Sequence, residues 1–502
     1  MVSERGTAVA VQGARSWARV GLTLATVAVM VAQLGGCGQT VAGRPTGDFD
    51  PSDAGGMKVT DGPTGPKDGV PDTDLKVENT DGGEMDRLAA NAVADLYAYW
   101  DEQLPKNFDG EKFTHIERLV SYDSDGEPMT LCGASTKKFQ NAFYCGGGGE
   151  DLIAWDRGAL LPMLAKNFEP ISVVGVLAHE MGHAVQFRLG DKSNMSPSTP
   201  TIVREQQADC YMGNFMRHVA EGNAEHFQLN TGEGLNRILA TLFFIRDPAG
   251  FDHMTEGAHG LAFDRVYAFQ EGFTTRDPKR CAKMDTEEID SRIAEQERSE
   301  KDDASGGEAD LNDKTLGLLQ ESLDDAFRDN GADQPNITDN GSTCDKGEPT
   351  SPAVYCLDEN IVGIDLTKLK EIAQPPAEGA QPNQNGAGIG DFAAFAEIAS
   401  RYTLAIQKQV GADLEDENAG LRTACLTGAW TKTTVDDDPN TTDDKLHLAV
   451  GDLDEAVAEL LQDDSLIAAD VNGKQVKSGF ARVEAFRLGY FDGSGTCTDT
   501  FA

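Results

Sequence analysis

The sequence predicts a mainly helical α+β protein in which one domain occurs twice. Apolar residues recur every three or four positions over several long segments, which is the period of an amphipathic helix. Only short apolar runs are left between these segments, so a small sheet is expected. Helices are expected at residues 85–104, 171–190, 223–245, 262–272 and 316–330, and again at 392–410, 453–461 and 478–488.

A motif near the end of each half of the chain indicates the duplication. The pattern F-x-R-V-x-A-F-x-x-G, followed by an aromatic residue, begins at Phe263 and again at Phe480. The spacings between cysteines agree as well. The interval from Cys132 to Cys145 is close to that from Cys344 to Cys356, and the interval from Cys210 to Cys281 is close to that from Cys425 to Cys497. Self-similarity with a period of about 215 residues favours two copies of one domain over a solenoid. We place the copies at residues 84–285 and 313–502, with a linker at 286–312; chance agreement of short patterns is the alternative.

Residues 1–37 have the features of an export signal. Arginines precede an apolar segment at residues 20–34, which is short for a membrane span and typical of a signal-peptide core. The segment ends in Leu34-Gly35-Gly36-Cys37, which resembles a bacterial lipobox, so Cys37 is predicted to become the first residue and to carry lipid. Residues 38–83 contain few apolar side chains and are predicted to form a flexible tether. An ordinary secreted protein with an incidental Cys37 is the alternative.

The chain is strongly acidic. It has 43 Lys and Arg against 84 Asp and Glu, a net charge of -41. Such a surface repels nucleic acid and anionic lipid, so no nucleic-acid partner is expected, and contact with a membrane is expected only through the lipid anchor. Without Cys37, eight of the nine cysteines remain. An even number in an exported chain implies disulfides but leaves their pairing open.

A His-Glu-x-x-His sequence lies inside the apolar helical segment at 171–190. His179 and His183 are four residues apart, so both imidazoles project from one face of the helix and can reach one metal ion. Glu180 lies beside them and is the expected general base that activates a water molecule, as in zinc hydrolases. Gly190 is expected to cap the end of the helix.

A catalytic zinc site requires a third protein ligand and an open position. The next helical segment begins after Pro200 and contains Glu205 and Asp209, four residues apart. We predict Glu205 as the third ligand and Asp209 as the acceptor for the free N–H of a ligand histidine. The alternative is a chance match on a solvated helix face, but charged residues within an apolar segment are costly to bury without a partner.

The segments HEMGHAVQ and VREQQADCYMGNF resemble the bacterial putative neutral zinc metallopeptidase family. The surroundings of the cysteines at 132 and 145, the segment GAHGLAFDRV and the Gly-Phe before Cys281 are similar to further motifs of the family, so the resemblance covers about residues 86–281. It implies a zincin-like fold with one zinc ion, bound by His179, His183 and Glu205 as in gluzincins. Ala184 departs from the family pattern, in which many members have a second histidine, but this position is not a ligand.

The repeat predicts that the second copy has lost the metal. Aligning the two helices places Ser400 and Leu404 at the histidine positions, Arg401 at the glutamate and Gly420 near the third ligand. Because an arginine at the position of the base would repel a cation, the second copy is expected to be a degenerate pseudo-peptidase that keeps only the framework. This framework is expected to include four disulfides, Cys132–Cys145, Cys210–Cys281, Cys344–Cys356 and Cys425–Cys497.

The expected activity is hydrolysis of peptide bonds in proteins or peptides, by an enzyme anchored to the outer face of the bacterial cytoplasmic membrane. Glu180 would take a proton from the attacking water and pass it to the leaving amine. His259, in the segment that resembles the family's His-Gly motif, is the candidate donor to the oxyanion. Arg265 and Arg482 are expected to form buried structural ion pairs. The alternatives are a non-catalytic binding or scaffold lipoprotein of the cell envelope and an envelope hydrolase of non-protein amides; the oligomeric state is not predicted.

Overall fold

The computed structural model describes residues 50–196, 198–247, 258–292, 309–328, 333–346, 349–375, 388–435, 445–447, 449 and 451–502. The predicted signal peptide, Cys37 and residues 38–49 of the predicted tether lie outside this part of the chain. The described residues form a mixed α+β fold in which helices predominate and the sheets are small, as the sequence predicts. None of the helices in these ranges combines the length and the apolar character of a membrane span.

The N-terminal half is built around a three-stranded sheet and the buried helix α3. Its helices are α1 (Glu84–Asn107), α2 (Leu160–Phe168), α3 (Pro170–Leu189), α4 (Thr201–Ala220), α5 (Glu233–Phe244), α6 (Ala262–Thr275), α7 (Pro278–Ala282) and α8 (Thr286–Asp290). Its strands are β1 (Asp53–Ala54), β2 (Met57–Lys58), β3 (Gly65–Pro66), β4 (Arg118–Tyr122), β5 (Thr130–Leu131), β6 (Ala134–Ser135), β7 (Ala142–Gly147), β8 (Glu150–Asp156) and β9 (Phe227–Gln228). The central strand β8 is parallel to β4 and antiparallel to β7, and α3 contacts β7, α1 and α4.

The C-terminal half has a sheet with the same order and directions. It contains α9 (Asp313–Ala326), β10 (Asn336–Asp339), β11 (Ala353–Cys356), β12 (Ile361–Ile364), α10 (Leu366–Ile372), α11 (Asp391–Gln409), α12 (Ala419–Thr433), α13 (Asp452–Leu460), α14 (Gly479–Asp492) and α15 (Ser494–Thr500). The central strand β12 is parallel to β10 and antiparallel to β11, as β8 is to β4 and β7.

The described chain contains four disulfides, and their pairing is the one the sequence predicts. In each half, a short-range bridge includes the strand that pairs antiparallel with the central strand, and a long-range bridge joins two helices. The bridges are Cys132–Cys145, Cys210–Cys281, Cys344–Cys356 and Cys425–Cys497. The two halves therefore have crosslinks at matching places in matching elements.

A pair of glycines allows two helices to cross at backbone contact in each half. A Cβ at Gly213 or at Gly272 would collide with a backbone carbonyl of the facing helix, so α4 and α6 touch through their main chains. Gly428 and Gly489 bring α12 and α14 together in the same way. The helix that carries the repeated motif is thus fixed against α4 in the N-terminal half and against α12 in the C-terminal half.

Residues 50–83 are not a flexible tether, which corrects the prediction for this part of the segment. β1 pairs with β2, and β3 pairs with β9. The buried guanidinium of Arg217 donates to Gly55 O at 2.6 Å, and Thr60 N donates to Thr231 Oγ1 at 2.9 Å. Backbone and polar contacts hold the segment although few of its side chains are apolar, and composition alone does not reveal such contacts.

The same contacts shorten one predicted helix. Helix α5 begins at Glu233, whereas the sequence suggested a helix over 223–245. Residues 227–228 form β9 instead, and Asn230 donates to Gly62 O at 2.6 Å. Pairing with the N-terminal segment outweighs the helical preference of these residues.

The two halves pack against each other in the part of the chain that the structure describes. They share one continuous apolar core, and Gln270 on α6 donates to Phe480 O at the start of α14 at 2.9 Å. Helix α8, at the start of the predicted linker, buries Ile289 against Ile202 and Val203. Residues 286–292 therefore belong to the N-terminal half, while residues 293–308 lie outside the described chain.

We expect Gly213→Ala to lower the free energy of unfolding by about 1–3 kcal/mol, because the added methyl group must separate α4 from α6. Gly317→Ala is the matched control, since Gly317 is in α9 with no atom within 4 Å of the Cβ position. There, alanine should stabilise the chain by about 0.5–1 kcal/mol. Chemical denaturation measures both variants. A stabilising Gly213→Ala would contradict the close helix contact.

Candidate metal site

The His-Glu-x-x-His sequence lies on α3, a helix that is almost entirely buried. Pro170 occupies the first turn, where the missing N–H leaves no intrahelical bond unmade. Gly190 ends the helix with a φ of 51° and donates its N–H to Gln186 O. His179 is buried and His183 is half-buried, and both rings face α4.

A glycine on α3 brings α4 close enough to complete the site. A Cβ at Gly182 would lie 2.9 Å from Ala208 Cα, a distance that side chains essentially never adopt. This close approach places Glu205 of α4 against both histidines. Glu205 Oε2 lies 3.1 Å from His179 Nε2, and Glu205 Oε1 lies 3.4 Å from His183 Nε2.

The three side chains can hold a metal ion. One donor atom from each of His179, His183 and Glu205 lies within 4.8 Å of the other two. The Nδ1 atom of each ring is engaged elsewhere, His179 with Asp209 Oδ1 at 2.7 Å and His183 with Gln186 Oε1 at 3.0 Å. Both Nε2 atoms therefore remain directed at Glu205, and two imidazoles with one carboxylate suit a cation such as zinc.

Asp209 and Arg265 form a buried pair behind His179. Two nitrogens of the Arg265 guanidinium donate to the two Asp209 oxygens at 2.9 Å each, and Arg265 also donates to Ile245 O. Both side chains are almost inaccessible to solvent. The expected buried ion pair of Arg265 is confirmed, and its partner is the carboxylate that orients the ligand histidine.

The expectation that Arg482 also forms a buried ion pair is wrong. Its guanidinium donates to Gln462 O at 2.8 Å, a backbone carbonyl and not a carboxylate. Ala424 stands next to Cys425 where Asp209 stands next to Cys210. Arg482 therefore shares the motif position of Arg265 but bonds to a backbone carbonyl.

Glu180 lies between the ligand histidines and the edge of the sheet. Its Oε2 accepts the N–H of Tyr144 on β7 at 2.8 Å. The carboxylate is half-buried, so one side of it faces the strand and it is still reachable from solvent. A carboxylate thus lies beside the two histidines that could hold a metal ion.

His259 reaches the same site from the segment before α6. Its backbone N–H donates to Asp247 Oδ2, its Nδ1 lies 3.3 Å from Asp247 Oδ1, and its Nε2 lies 3.9 Å from Glu205 Oε2. The side chain is 45% exposed. Asp247 holds this loop histidine near the ligands, although nothing in the sequence singles out Asp247.

Carboxylates dominate the electrostatics of the site. Burial lowers the pKa of His179, but Asp209 and Glu205 outweigh this effect and raise the pKa to about 10. Burial likewise lowers the pKa of His183, and Glu205 raises it above its ordinary value. Burial raises the pKa of Glu205, and the two histidines bring it well below its usual range. The carboxylates thus favour positive charge on the two histidines, and a bound cation can supply that positive charge in place of the histidine protons.

The corresponding place in the C-terminal half holds a buried arginine. Arg401 on α11 donates to Leu466 O, Ala469 O and Asp470 O at 2.7–2.9 Å. A Cβ at Gly420 would lie 2.6 Å from the carbonyl oxygen of Ala468. The segment 465–470 therefore fills the space beside α11 and α12.

The sequence assigns no role to two residues that hold side chains of the site. Gln186, whose Oε1 lies 3.0 Å from His183 Nδ1, ends the segment HEMGHAVQ, whereas Asp247, which binds His259, belongs to no motif that stands out in a single sequence. A scan against protein-family models and searches of curated proteins and of solved structures gave no match.

Binding of Zn²⁺ at about pH 7.5 should release about one proton or more, since metal ligands must lose their protons and the pKa of His179 is about 10. Metal affinity should accordingly increase as the pH rises toward 10. In the absence of metal, the raised pKa stabilises the folded chain below pH 6.5, and this stabilisation is lost as the pH rises through about 10. Calorimetric titration in buffers of different ionisation enthalpy counts the protons. Release of none would contradict a protonated His179 in the metal-free chain.

Proposed function

We propose that the protein is a zinc-dependent metallopeptidase whose active site lies in the N-terminal half. The observation that carries this proposal is the set of His179, His183 and Glu205, with donor atoms within 4.8 Å of one another and Glu180 adjacent. Two histidines and one glutamate form the ligand set of thermolysin-type hydrolases. The motifs that resemble the neutral zinc metallopeptidase family support the same assignment.

In the proposed mechanism, the chain holds the reacting groups in place. A zinc ion bound by His179, His183 and Glu205 would polarise the scissile carbonyl and lower the pKa of a coordinated water. Glu180 takes the proton of the attacking water and passes it to the leaving amine. His259 is the proposed hydrogen-bond donor to the oxyanion. Asp209 and Arg265 keep the ring of His179 in the orientation that exposes Nε2.

The surroundings of Glu180 favour a peptide substrate. β7 is the edge strand of its sheet, and an extended peptide can pair with such an edge through its backbone. Phe187, 54% exposed, and Phe139, 38% exposed, lie near the rings of Tyr144 and Phe143 on this strand. A main-chain edge flanked by exposed aromatic rings suits peptide side chains better than a small non-protein amide.

We infer that the C-terminal half is a degenerate copy of the peptidase domain. Its sheet order, disulfides and glycine contacts match those of the N-terminal half. Ser400, Arg401 and Leu404 replace the three motif residues, and segment 465–470 fills the adjacent space. In this proposal the chain therefore binds one zinc ion, in its N-terminal half.

The proposed location is outside the cytoplasm, on a lipid anchor at Cys37. Four disulfides in the described chain suit an oxidising compartment. Excess negative charge disfavours nucleic acid as a partner and agrees with membrane contact limited to the lipid.

Zinc content and activity of three forms of the full chain test this proposal. The unaltered chain should bind one zinc ion and cleave a peptide. Glu205→Ala should lose the metal, and Glu180→Gln should keep it while kcat falls by roughly 10²-fold or more, as expected when a general base is removed. Glu233→Gln, at an exposed position of α5, is a control that should behave like the unaltered chain.

Each other result has a definite meaning. Two zinc ions per chain would contradict the degenerate second copy. No zinc at all would favour the scaffold lipoprotein, and zinc without peptide cleavage would favour the hydrolase of non-protein amides.

A further inference from the structure

The interface between the two halves is reciprocal. Gln270 of α6 donates to Phe480 O at 2.9 Å, and Arg487 of α14 donates to Phe263 O at 3.2 Å. Phe480 follows Phe263 by the same number of residues as Arg487 follows Gln270. Contacts in which one element meets its own equivalent are the property of a two-fold symmetric interface.

A second reciprocal contact involves the starts of the same two helices. Asp454 on α13 accepts the N–H of Phe263 in the first turn of α6, with Oδ1 at 3.0 Å. Asn236 on α5 accepts the N–H of Gly479 in the first turn of α14, with Oδ1 at 2.8 Å. Each half thus supplies a side chain that binds an unpaired N–H at a helix start in the other half.

The two helix starts differ in whether a side chain of their own half also caps them. Ser478 caps α14 from within its own half by accepting the N–H of Ala481. The N-cap of α6 is Leu261, which has no side-chain acceptor. Helix α6 therefore depends on Asp454, and the negative charge of a carboxylate also favours the position at a helix N-terminus.

Asp454 also holds the other end of the loop that carries His259. Its Oδ2 lies 2.8 Å from Arg246 Nε, and the carboxylate is 2% exposed. Arg246 precedes Asp247, the residue that binds His259. One carboxylate of the C-terminal half therefore joins the end of α5 to the start of α6.

The chain of contacts continues from α6 to a ligand. Arg265 lies in the first turn of α6, binds Asp209 with two hydrogen bonds, and Asp209 holds Nδ1 of His179. A shift of the start of α6 would displace Arg265 from Asp209 and release the ring of His179.

We propose that Asp454 of the C-terminal half is a positioning residue for the metal site of the N-terminal half. This rests on the proposed function, because it assumes that His179, His183 and Glu205 bind zinc. The C-terminal half, in which Ser400, Arg401 and Leu404 stand at the positions of the metal motif, then acts as a built-in partner that fixes the geometry of the other half.

The test compares Asp454→Ala with Asn236→Ala in the full chain. Asn236 is the matched control, because it makes the reciprocal contact across the same interface but acts on the half without the metal motif. The dissociation constant for Zn²⁺ alone is measured by competition with a chromogenic chelator. We expect roughly 10-fold weaker binding or more for Asp454→Ala, as for other residues that support ligands, and less than about 2-fold change for Asn236→Ala.

Hydrogen exchange of the zinc-free chain gives a second readout. Asp454→Ala should lose amide protection at residues 259–265, and Asn236→Ala should keep it. If Asp454→Ala does not fold, Asp454→Asn replaces it; the amide keeps an acceptor for Phe263 N but loses the charge that faces Arg246, so a smaller loss of zinc affinity is expected.

Equal losses of zinc affinity in the alanine variants would overturn the proposal in favour of general stabilisation by the interface. Unchanged affinity in Asp454→Ala would overturn it directly. If the unaltered chain binds no zinc, the proposed function fails instead, and the hydrogen-exchange comparison alone decides whether Asp454 fixes this segment; unchanged protection in Asp454→Ala would then overturn the positioning role.

Discussion

Four buried groups of alternating charge lie in contact, from Arg265 through Asp209 and His179 to Glu205. The packing of the N-terminal half must keep these four groups within hydrogen-bond distance of one another. Each group is nearly inaccessible to solvent, and any one of them without its neighbours would be strongly destabilising. Because consecutive groups lie within hydrogen-bond distance, α3, α4 and α6 must keep fixed positions relative to one another. Glycine contacts between these helices and the disulfide adjacent to Asp209 impose those positions.

The C-terminal half shows what the same framework does when the carboxylates are missing. Burial lowers the pKa of Arg401 to about 10, and backbone carbonyls of a neighbouring loop satisfy its guanidinium. Arg482 likewise donates to a carbonyl in place of the carboxylate that its counterpart has. Carbonyl dipoles take the place that charged partners have in the N-terminal half, and the segment that supplies them lies beside α11. Backbone carbonyls thus accept from all three of the Arg401 contacts named above and from one nitrogen of Arg482, whose Nε has no hydrogen-bond partner among the described residues.

The clearest local patterns in the sequence correspond to what the structure brings together. The four-residue spacings of His179 and His183 and of Glu205 and Asp209 predict one cluster, and these side chains lie within reach of one another; the repeated cysteine spacings predict the four disulfides. The order of residues 50–83 was not predictable, since backbone hydrogen bonds such as that of Gly55 leave no trace in composition. The contacts of Asp454 and Asp247 were hidden for another reason: each depends on residues brought together only by the packing of distant helices. Residue type and spacing report the chemistry of a helix face, whereas the partner across an interface is set by the whole fold.

Because the interface joins two halves of one chain, it does not weaken when the protein is diluted. Two separate copies held together by these contacts would dissociate on dilution, and α6 would lose the carboxylate at its first turn. Within one chain, the second copy remains tethered at an effective concentration on the order of millimolar, however dilute the protein becomes. Joining the halves in one chain thus keeps the Asp454 carboxylate at the first turn of α6 at any protein concentration.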